Sequence, residues 1–319
     1  MKKSRTTSWR TWIAWAENIA IVLIISLAFY ITLPVKSTQT LYIPQGSIGG
    51  IISQLAKKGY NVSVIDSYIL RLIGQPQQGW IFIGKKSLNR IDFLYKLTNA
   101  KAMIHKVTLI PGETLDIFFG NLAKTFKLDK EKLFLYYKEY STYPEAGIFA
   151  DTYYVPVGIR EKHLIHFLVR ESEKRYERLA EKIYGVYDKK QWEKILTVAS
   201  IIQKEAANEK EMPLVASVIY NRLKKGMRLQ MDGTLNYGKF SHIKVTPERI
   251  RGDKSTFNTY KFKGLPPSPI GAVSFAAIKA AVAPAKTKYL YFMKNKKGTH
   301  DFSTNFKAHR KNINRSKKK

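Results

Sequence analysis

The sequence predicts an α+β protein with one N-terminal transmembrane helix, a small α+β module and a larger α+β domain. Three observations lead there. Short strand-like runs alternate with segments of helical apolar spacing, with no internal repeat beyond two similar strand–turn–helix starts (LYIPQGS and TLIPGET). A long apolar run stands close to the amino terminus. The composition is that of a folded chain: 319 residues with 45% hydrophobic and 13% aromatic side chains, although 55 Lys and Arg against 24 Asp and Glu give a net charge of +31. That charge points to an anionic neighbour such as nucleic acid, a lipid surface or an acidic polymer. The absence of cysteine excludes a thiolate metal site, a disulfide scaffold and a cysteine nucleophile.

Residues 1–11 form a basic tail carrying Lys2, Lys3, Arg5 and Arg10 and no acid. Residues 12–34 are then expected to cross a membrane: the apolar stretch is about 22 residues long, against roughly 20 needed to span the hydrocarbon layer. Only Glu17 and Asn18 interrupt it, and Trp9, Trp12 and Trp15 flank it where indoles favour the interface. A signal peptide or a buried core helix has the same outline. No A-x-A-like site follows Leu33, however, and the run is long for a signal core. The basic flank orients the amino terminus to the cytoplasm and exports about 285 residues. Cytoplasmic nucleic acid is then not an expected partner.

The exported part divides at about residue 106. In 38–106, Thr40 to Pro44 reads as a strand, and Ser47 to Lys58 as a helix stopped by Gly59. A second helix, Val64 to Ile73, stops at Gly74, and Gly79 to Ile83 is a second strand. Leu88, Ile91, Phe93, Leu94 and Leu97 mark a third helix with Ser87 as its cap. In 107–306 the chain opens on a strand at Lys106 to Ile110, followed by a helix from Leu115 to Phe126. Charges at helical spacing between Glu161 and Lys182 give a solvated helix face. The basic tail 307–319 has seven Lys or Arg, and reads either as a frayed end or as an attraction to anionic lipid or polymer.

The chemistry concentrates in 191–309. Gln191 to Ala207 reads as a helix whose core stripe holds Ile195, Ala199, Ile202 and Ala206. At about 100° per residue from Ile195, Glu205 falls near −80°, at the edge of that stripe beside Val198. Partial desolvation there would raise its pKa, as a general acid near neutral pH requires. A surface Glu paired with Lys204 is the bland alternative. A second helix, Pro213 to Lys225, ends at Gly226. The polar loop 227–238 and the stiff, proline-bearing loop 257–270 then offer Asn, Thr and Tyr side chains suited to sugar hydroxyls, or serve simply as turns.

These residues carry a resemblance. Ala199-Ser-Ile-Ile-Gln-Lys-Glu205, Val215-Ala-Ser-Val-Ile-Tyr-Asn-Arg-Leu223, Met227-Arg-Leu-Gln230, Asp232, Thr234 and Tyr237 resemble the endolytic murein transglycosylases of the YceG-like family. The likeness continues through Asn258-Thr-Tyr260, Gly264-Leu-Pro-Pro267, Pro284-Ala-Lys286, Tyr289-Leu-Tyr-Phe292 and Gly298-Thr-His300. Upstream, Glu145-Ala-Gly-Ile-Phe-Ala-Asp-Thr-Tyr153 resembles that family's E-G-x-x-x-P-D-T-Y element, with Ala150 where proline is usual. Asp232-Gly233 stands for a usual D-P, and the N-P-G usual after the P-I pair is missing after Ile270.

The resemblance implies a LysM-like module at 38–106 and a catalytic domain at 107–306. It also implies a lyase that cuts peptidoglycan strands internally between N-acetylmuramic acid and N-acetylglucosamine, leaving a 1,6-anhydro end. The catalytic Glu of the family lies in the segment matching Ser200 to Glu205. Gln203 stands where many relatives carry an acid, which leaves Glu205 as catalytic residue. Gln230, Asp232, Thr234, Asn258 and Tyr260 are expected to line the cleft, with Glu211 and Gln203 in support. His300 and His309 match a histidine-bearing carboxy-terminal pattern but show no metal spacing, so neither metal nor cofactor is expected. Expected partners are glycan strands, inner-membrane lipid and, by family analogy, penicillin-binding proteins or other cell-wall synthases. Two other readings are kept: a catalytically silent glycan-binding scaffold of the envelope, and a tethered polyanion binder driven by charge.

Overall fold

The structure, a computed structural model, describes residues 9–44, 46–77, 79–99, 104–156 and 158–317. Residues 1–8 of the basic amino-terminal tail and 318–319 of the carboxy-terminal one lie outside the described residues. The chain forms two compact units, the first of residues 1–105 with 155–159, the second of 106–154 with 160–319.

The first unit begins with α1 (Trp9–Thr32). Its 22 residues from Thr11 to Thr32 are long and apolar enough to cross a membrane, and none of that stretch is buried in the protein. At 1.5 Å per residue they reach about 33 Å, close to the thickness of the hydrocarbon core. The amide of Asn18 is satisfied inside the helix, donating to the Ala14 carbonyl at 2.8 Å. Then follow β1 (Pro34–Lys36), β2 (Thr40–Ile43), α2 (Ile48–Lys57), α3 (Val64–Ile73), β3 (Gly79–Phe82), β4 (Ser87–Asn89) and α4 (Arg90–Asn99). Strand β2 pairs antiparallel with β3, Thr40 opposite Phe82, and β1 pairs antiparallel with β4. Ile43, Ile51, Leu55, Leu70, Ile81, Phe93 and Leu97 close the core of this unit. Helix α3 carries a full capping box, Ser63 with Asp66. Helix α4 starts later than expected. Ser87 lies in β4, and the capping oxygen is that of Asn89, which accepts from the Asp92 amide at 2.8 Å.

The second unit contains β5 (Ile104–Thr108), whose first two residues belong to the first unit, then α5 (Leu115–Phe126) and α6 (Lys130–Tyr140). After these come β6 (Thr152–Pro156), whose last two residues belong to the first unit, α7 (Glu161–Tyr184), α8 (Lys189–Glu205), α9 (Met212–Lys224), α10 (Pro247–Gly252) and α11 (Phe275–Val282). The strands β7 (Tyr291–Lys294) and β8 (His300–Ser303) and the helix α12 (Phe306–Lys317) complete it. Helix α8 is the spine, packed between α9 and α11. Trp192, Leu196, Val198, Ile201 and Ile202 on α8 are buried with Val215, Val218, Ile219, Ile270, Val273 and Ile278. Each fully buried aliphatic contributes about 1.5–3 kcal/mol, so α8 is held rigidly.

Where a frayed basic tail was an alternative, α12 is folded against the β7–β8 hairpin. The His309 ring stacks on Tyr291 at 5.2 Å, the Asn312 amide donates to Ser303 Oγ at 2.9 Å, and Arg315 pairs with Asp301 at 2.6 Å. Its few apolar residues find that partner in the hairpin, which the run of lysines conceals.

Candidate active site

Helix α8 stops two residues earlier than the sequence spacing suggests: Ala206 is already extended, and Glu205 is the last helical residue. The carboxyl therefore stands at the negative end of the helix dipole, which disfavours its charge. It is half-buried. Its Oε1 accepts a hydrogen bond from the Gly233 amide at 2.7 Å. Burial is the largest influence and pushes Glu205 up to about 7, helped by the charge of Asp232 and opposed by the Gly233 amide. The pairing with Lys204 that a surface role would predict is absent from the described contacts. The Lys204 ammonium instead donates to Ser241 Oγ at 3.2 Å.

The residue facing Glu205 comes from a loop held by buried polar staples. Arg222 on α9 is buried, and donates through Nε to the Leu290 carbonyl and through Nη1 to the Leu229 carbonyl, both at 2.6 Å. The Gln230 amide donates to the Thr259 carbonyl at 3.2 Å, and the Met231 amide to Thr259 Oγ1 at 3.2 Å. Gln230 itself takes φ of 49°, an unusual value for a residue with a side chain, and is exposed. The chain then enters a 3₁₀ turn, Asp232–Leu235, whose early amides have no partner within the turn. Gly233 aims one of them at Glu205. A Cβ on Gly233 would lie 2.8 Å from Glu205 Oε1 and 2.9 Å from Lys204 Cβ, so the approach requires glycine.

Asp232 and Tyr260 stand beside this contact. The Tyr260 hydroxyl donates to Asp232 Oδ1 at 2.6 Å. Burial raises the Tyr260 pKa, and the hydrogen bond to Asp232 and the charges of Asp232 and Glu205 raise it further, so the phenol stays a donor.

Two expected cleft residues are buried in the loop itself. Thr234 is fully buried, its hydroxyl donating to the Met231 carbonyl at 2.7 Å and touching Thr259 Oγ1 at 2.9 Å. Asn258 is fully buried as well, its amide donating to the Ile250 and Asp253 carbonyls at 2.8 and 2.9 Å. Both shape the loop that presents Gln230, Asp232 and Tyr260.

The two supporting residues are engaged elsewhere. Glu211 accepts from the His300 amide at 2.8 Å and from His300 Nδ1 at 2.7 Å, tying the start of α9 to the β7–β8 hairpin. Burial alone would raise Glu211, but the two His300 hydrogen bonds hold it below the ordinary carboxylate range. Gln203 Oε1 accepts from the Ser274 amide, the cap of α11, at 3.3 Å. His309 is half-buried against Tyr291, and burial lowers its pKa. Among the described residues no group of three or more His, Asp or Glu is placed to hold a metal.

A second acidic pair was not singled out by residue type. Glu145 Oε1 accepts from the Leu115 amide, at the start of α5, at 2.7 Å. Burial pushes Glu145 up to about 8, with the Lys204 charge pulling it back. Glu113 accepts from the Thr114 amide at 2.9 Å and from His242 Nε2 at 2.8 Å. Burial would raise it, yet these donors keep it below the usual range. Lys204 lies in the field of both acids, its own pKa lowered by burial. The hint in the sequence was the position of Glu145 at the head of a quoted motif and of Glu113 after the Pro111-Gly112 turn. The turn is clamped by reciprocal bonds, Gly112 amide to Ala272 carbonyl and Ala272 amide to Glu113 carbonyl, each 2.7 Å.

A family model described as the YceG-like family matches residues 41–315. Over 118 residues the chain is 41% identical to the endolytic murein transglycosylase of Bacillus subtilis (strain 168), covering 37% of this chain and 33% of that protein. Over 177 residues it is 29% identical to the endolytic murein transglycosylase of Streptococcus pneumoniae (strain D39), covering 53% of this chain and 31% of that one. The match thus spans about a third of the length of these curated relatives. A crystal structure of a YceG-like protein from Listeria monocytogenes superposes with a TM-score of 0.57 at 28% identity, covering 86% of this chain and 99% of that one.

Proposed function

Because the chain belongs to the YceG-like family, we propose that it is an endolytic peptidoglycan transglycosylase with Glu205 as its catalytic acid and base. The bond cleaved is the β-1,4 link from N-acetylmuramic acid to N-acetylglucosamine. Protonated Glu205 donates to the leaving glycosidic oxygen while positive charge grows at the anomeric carbon. The carboxylate left behind takes the proton of the muramyl C6 hydroxyl, whose oxygen closes onto that carbon. The proton count balances without water, and the product carries a 1,6-anhydro end. Asp232, held by Tyr260, lies near enough to Glu205 for its negative charge to favour the cationic transition state. Gln230 and Tyr260 are the side chains left to meet sugar hydroxyls.

The observation that carries this reading is the setting of Glu205: a half-buried carboxyl at the end of α8, held by the Gly233 amide, whose pKa burial raises to about 7. The length and apolarity of α1 support anchoring in the bacterial inner membrane as a single-pass protein, with the amino terminus cytoplasmic and the catalytic domain periplasmic. The β2–α2–α3–β3 order supports a LysM-like module at 38–106 ahead of a catalytic domain at 107–306. Glycan strands are the substrate, and penicillin-binding proteins or other cell-wall synthases are the expected protein neighbours.

The test is mass analysis of sacculi digested by wild type and by Glu205→Gln. Wild type is expected to release internal fragments with anhydro-muramyl ends and the variant none. Equal release by both, or none by either, overturns the assignment.

A further inference from the structure

Among the described residues of the first unit, α3 leaves an apolar face exposed. On α3, Asp66, Ser67 and Leu70 are buried, while Val64, Ile65, Tyr68 and Leu72 are 70%, 49%, 60% and 90% exposed. Leu72 is the most exposed large hydrophobic side chain among the described residues. At about 100° per residue these four fall within one 100° arc, with Arg71 at its edge. The Arg71 guanidinium lies over the Tyr68 ring, 5.3 Å from its centroid. An apolar stripe with an aromatic and a flanking cation has the make-up of a helix lying in a membrane interface.

The position of α3 points to the same occupant. Tyr30, in the last turn of α1, pairs its hydroxyl with Oγ of Ser63, the cap of α3, at 2.7 Å, and donates to Asp66 Oδ2 at 3.2 Å. Arg90 closes the cluster, bonding Tyr30 at 3.0 Å and forming a buried ion pair with Asp66 at 2.6 Å. Its guanidinium also covers the Tyr30 ring at 4.2 Å. The start of α3 is therefore fixed to the outer end of the apolar helix. Leu72 lies only about 12 Å further along α3.

We propose that the Val64–Ile65–Tyr68–Leu72 face of α3 rests in the headgroup–acyl boundary of the outer leaflet, so that the small module lies on the bilayer that α1 spans. This rests on α1 being a membrane anchor. The Tyr30–Asp66–Arg90 cluster, with Asp66 and Arg90 buried, is the joint that sets the module's angle. The module then cannot swing as a free tether would.

The chain has no cysteine, so single-cysteine labelling is clean. Val64→Cys and Leu72→Cys, each labelled with bimane, are reconstituted as the full chain into phosphatidylethanolamine–phosphatidylglycerol vesicles. The vesicles carry either plain lipid or lipid spin-labelled near the headgroup. Flotation is measured on the same samples. The expected result is about twofold quenching by the spin-labelled lipid at both positions, with little quenching by aqueous iodide. Flotation together with quenching by iodide only overturns the inference. Flotation with protection from both quenchers also overturns it, since protein rather than lipid then covers the face. Failure to float refutes the anchor itself, and is read separately from the quenching.

Discussion

Changing Gly233 to proline removes one hydrogen from the contact with Glu205 and leaves every acidic group in place. The amide lost is the donor 2.7 Å from Glu205 Oε1. Proline is tolerated early in a helical turn, and Gly233 is the second residue of one that makes no internal use of its amide. A hydrogen bond to a charged acceptor is worth about 1.5–3 kcal/mol. At 1.36 kcal/mol per pH unit, losing it raises Glu205 by about one to two pH units. Because the first chemical step needs the protonated acid, wild-type turnover should fall on the alkaline side of about pH 7. In Gly233→Pro that limb should move to about pH 8–9. The added ring carbon is a confounding change, since a Cβ meets Oε1 at 2.8 Å. Gly233→Ala carries the same Cβ but keeps the amide. Both variants should turn over more slowly than wild type, and only the proline variant should show the displaced limb. The assay is the rate of anhydro-ended fragment release from purified glycan strands between pH 5 and 10, with circular dichroism confirming the fold. If both variants share one alkaline limb, or if the proline variant's limb moves down, the amide does not govern Glu205 and the reasoning fails.

Two further outcomes follow from the same carboxylates. Glu205 has a folded pKa above its unfolded value, so its contribution to stability is full at acid pH and is lost as pH rises through about 7. Glu205→Gln should therefore be more stable than wild type at pH 8.5, by about 2–3 kcal/mol, and nearly equal at pH 4, as measured by chemical denaturation. Glu211 has the opposite sign: its folded pKa is depressed, so the clasp to His300 is full above the ordinary glutamate value of 4.5 and is lost as pH falls below it. Glu211→Gln should cost about 1.5–3 kcal/mol at pH 7 and little at pH 3; an equal cost at both would show that the clasp is not electrostatic.

Local pattern made some elements readable to the residue. Helix α3 runs from Val64 to Ile73 because Ser63 caps it, Gly74 ends it and its apolar positions repeat at helical spacing. The placement of Glu205 at the edge of an aliphatic stripe was likewise a matter of counting angles along α8. What pattern could not show were contacts made across long sequence separations. Gly233 and Glu205 are 28 residues apart, and Glu211 and His300 are 89 apart. Thr234 and Asn258 have the composition of loop residues that face sugars, and their burial depends on carbonyls supplied by distant turns. Helix α6 went unread because only Leu133 and Tyr137 of its residues are buried.

The site is acidic in a chain of charge +31, and the way it carries those acids bears on the substrate. Four carboxyl groups, Glu113, Glu145, Glu205 and Asp232, stand around Lys204 and Gly233. Were all four ionised, a strand bearing peptide carboxylates would be repelled. Instead they divide into two pairs, each with one burial-raised member, Glu145 at about 8 and Glu205 at about 7. The other member of each pair accepts from a donor of its own, His242 for Glu113 and Tyr260 for Asp232. Glu113 and Glu145 have environments that push their pKa values apart, a known way to assign a proton to one of two carboxyls. Under the proposed function, burial thus keeps a proton available on Glu205 and lessens the negative charge that a strand bearing peptide carboxylates would meet.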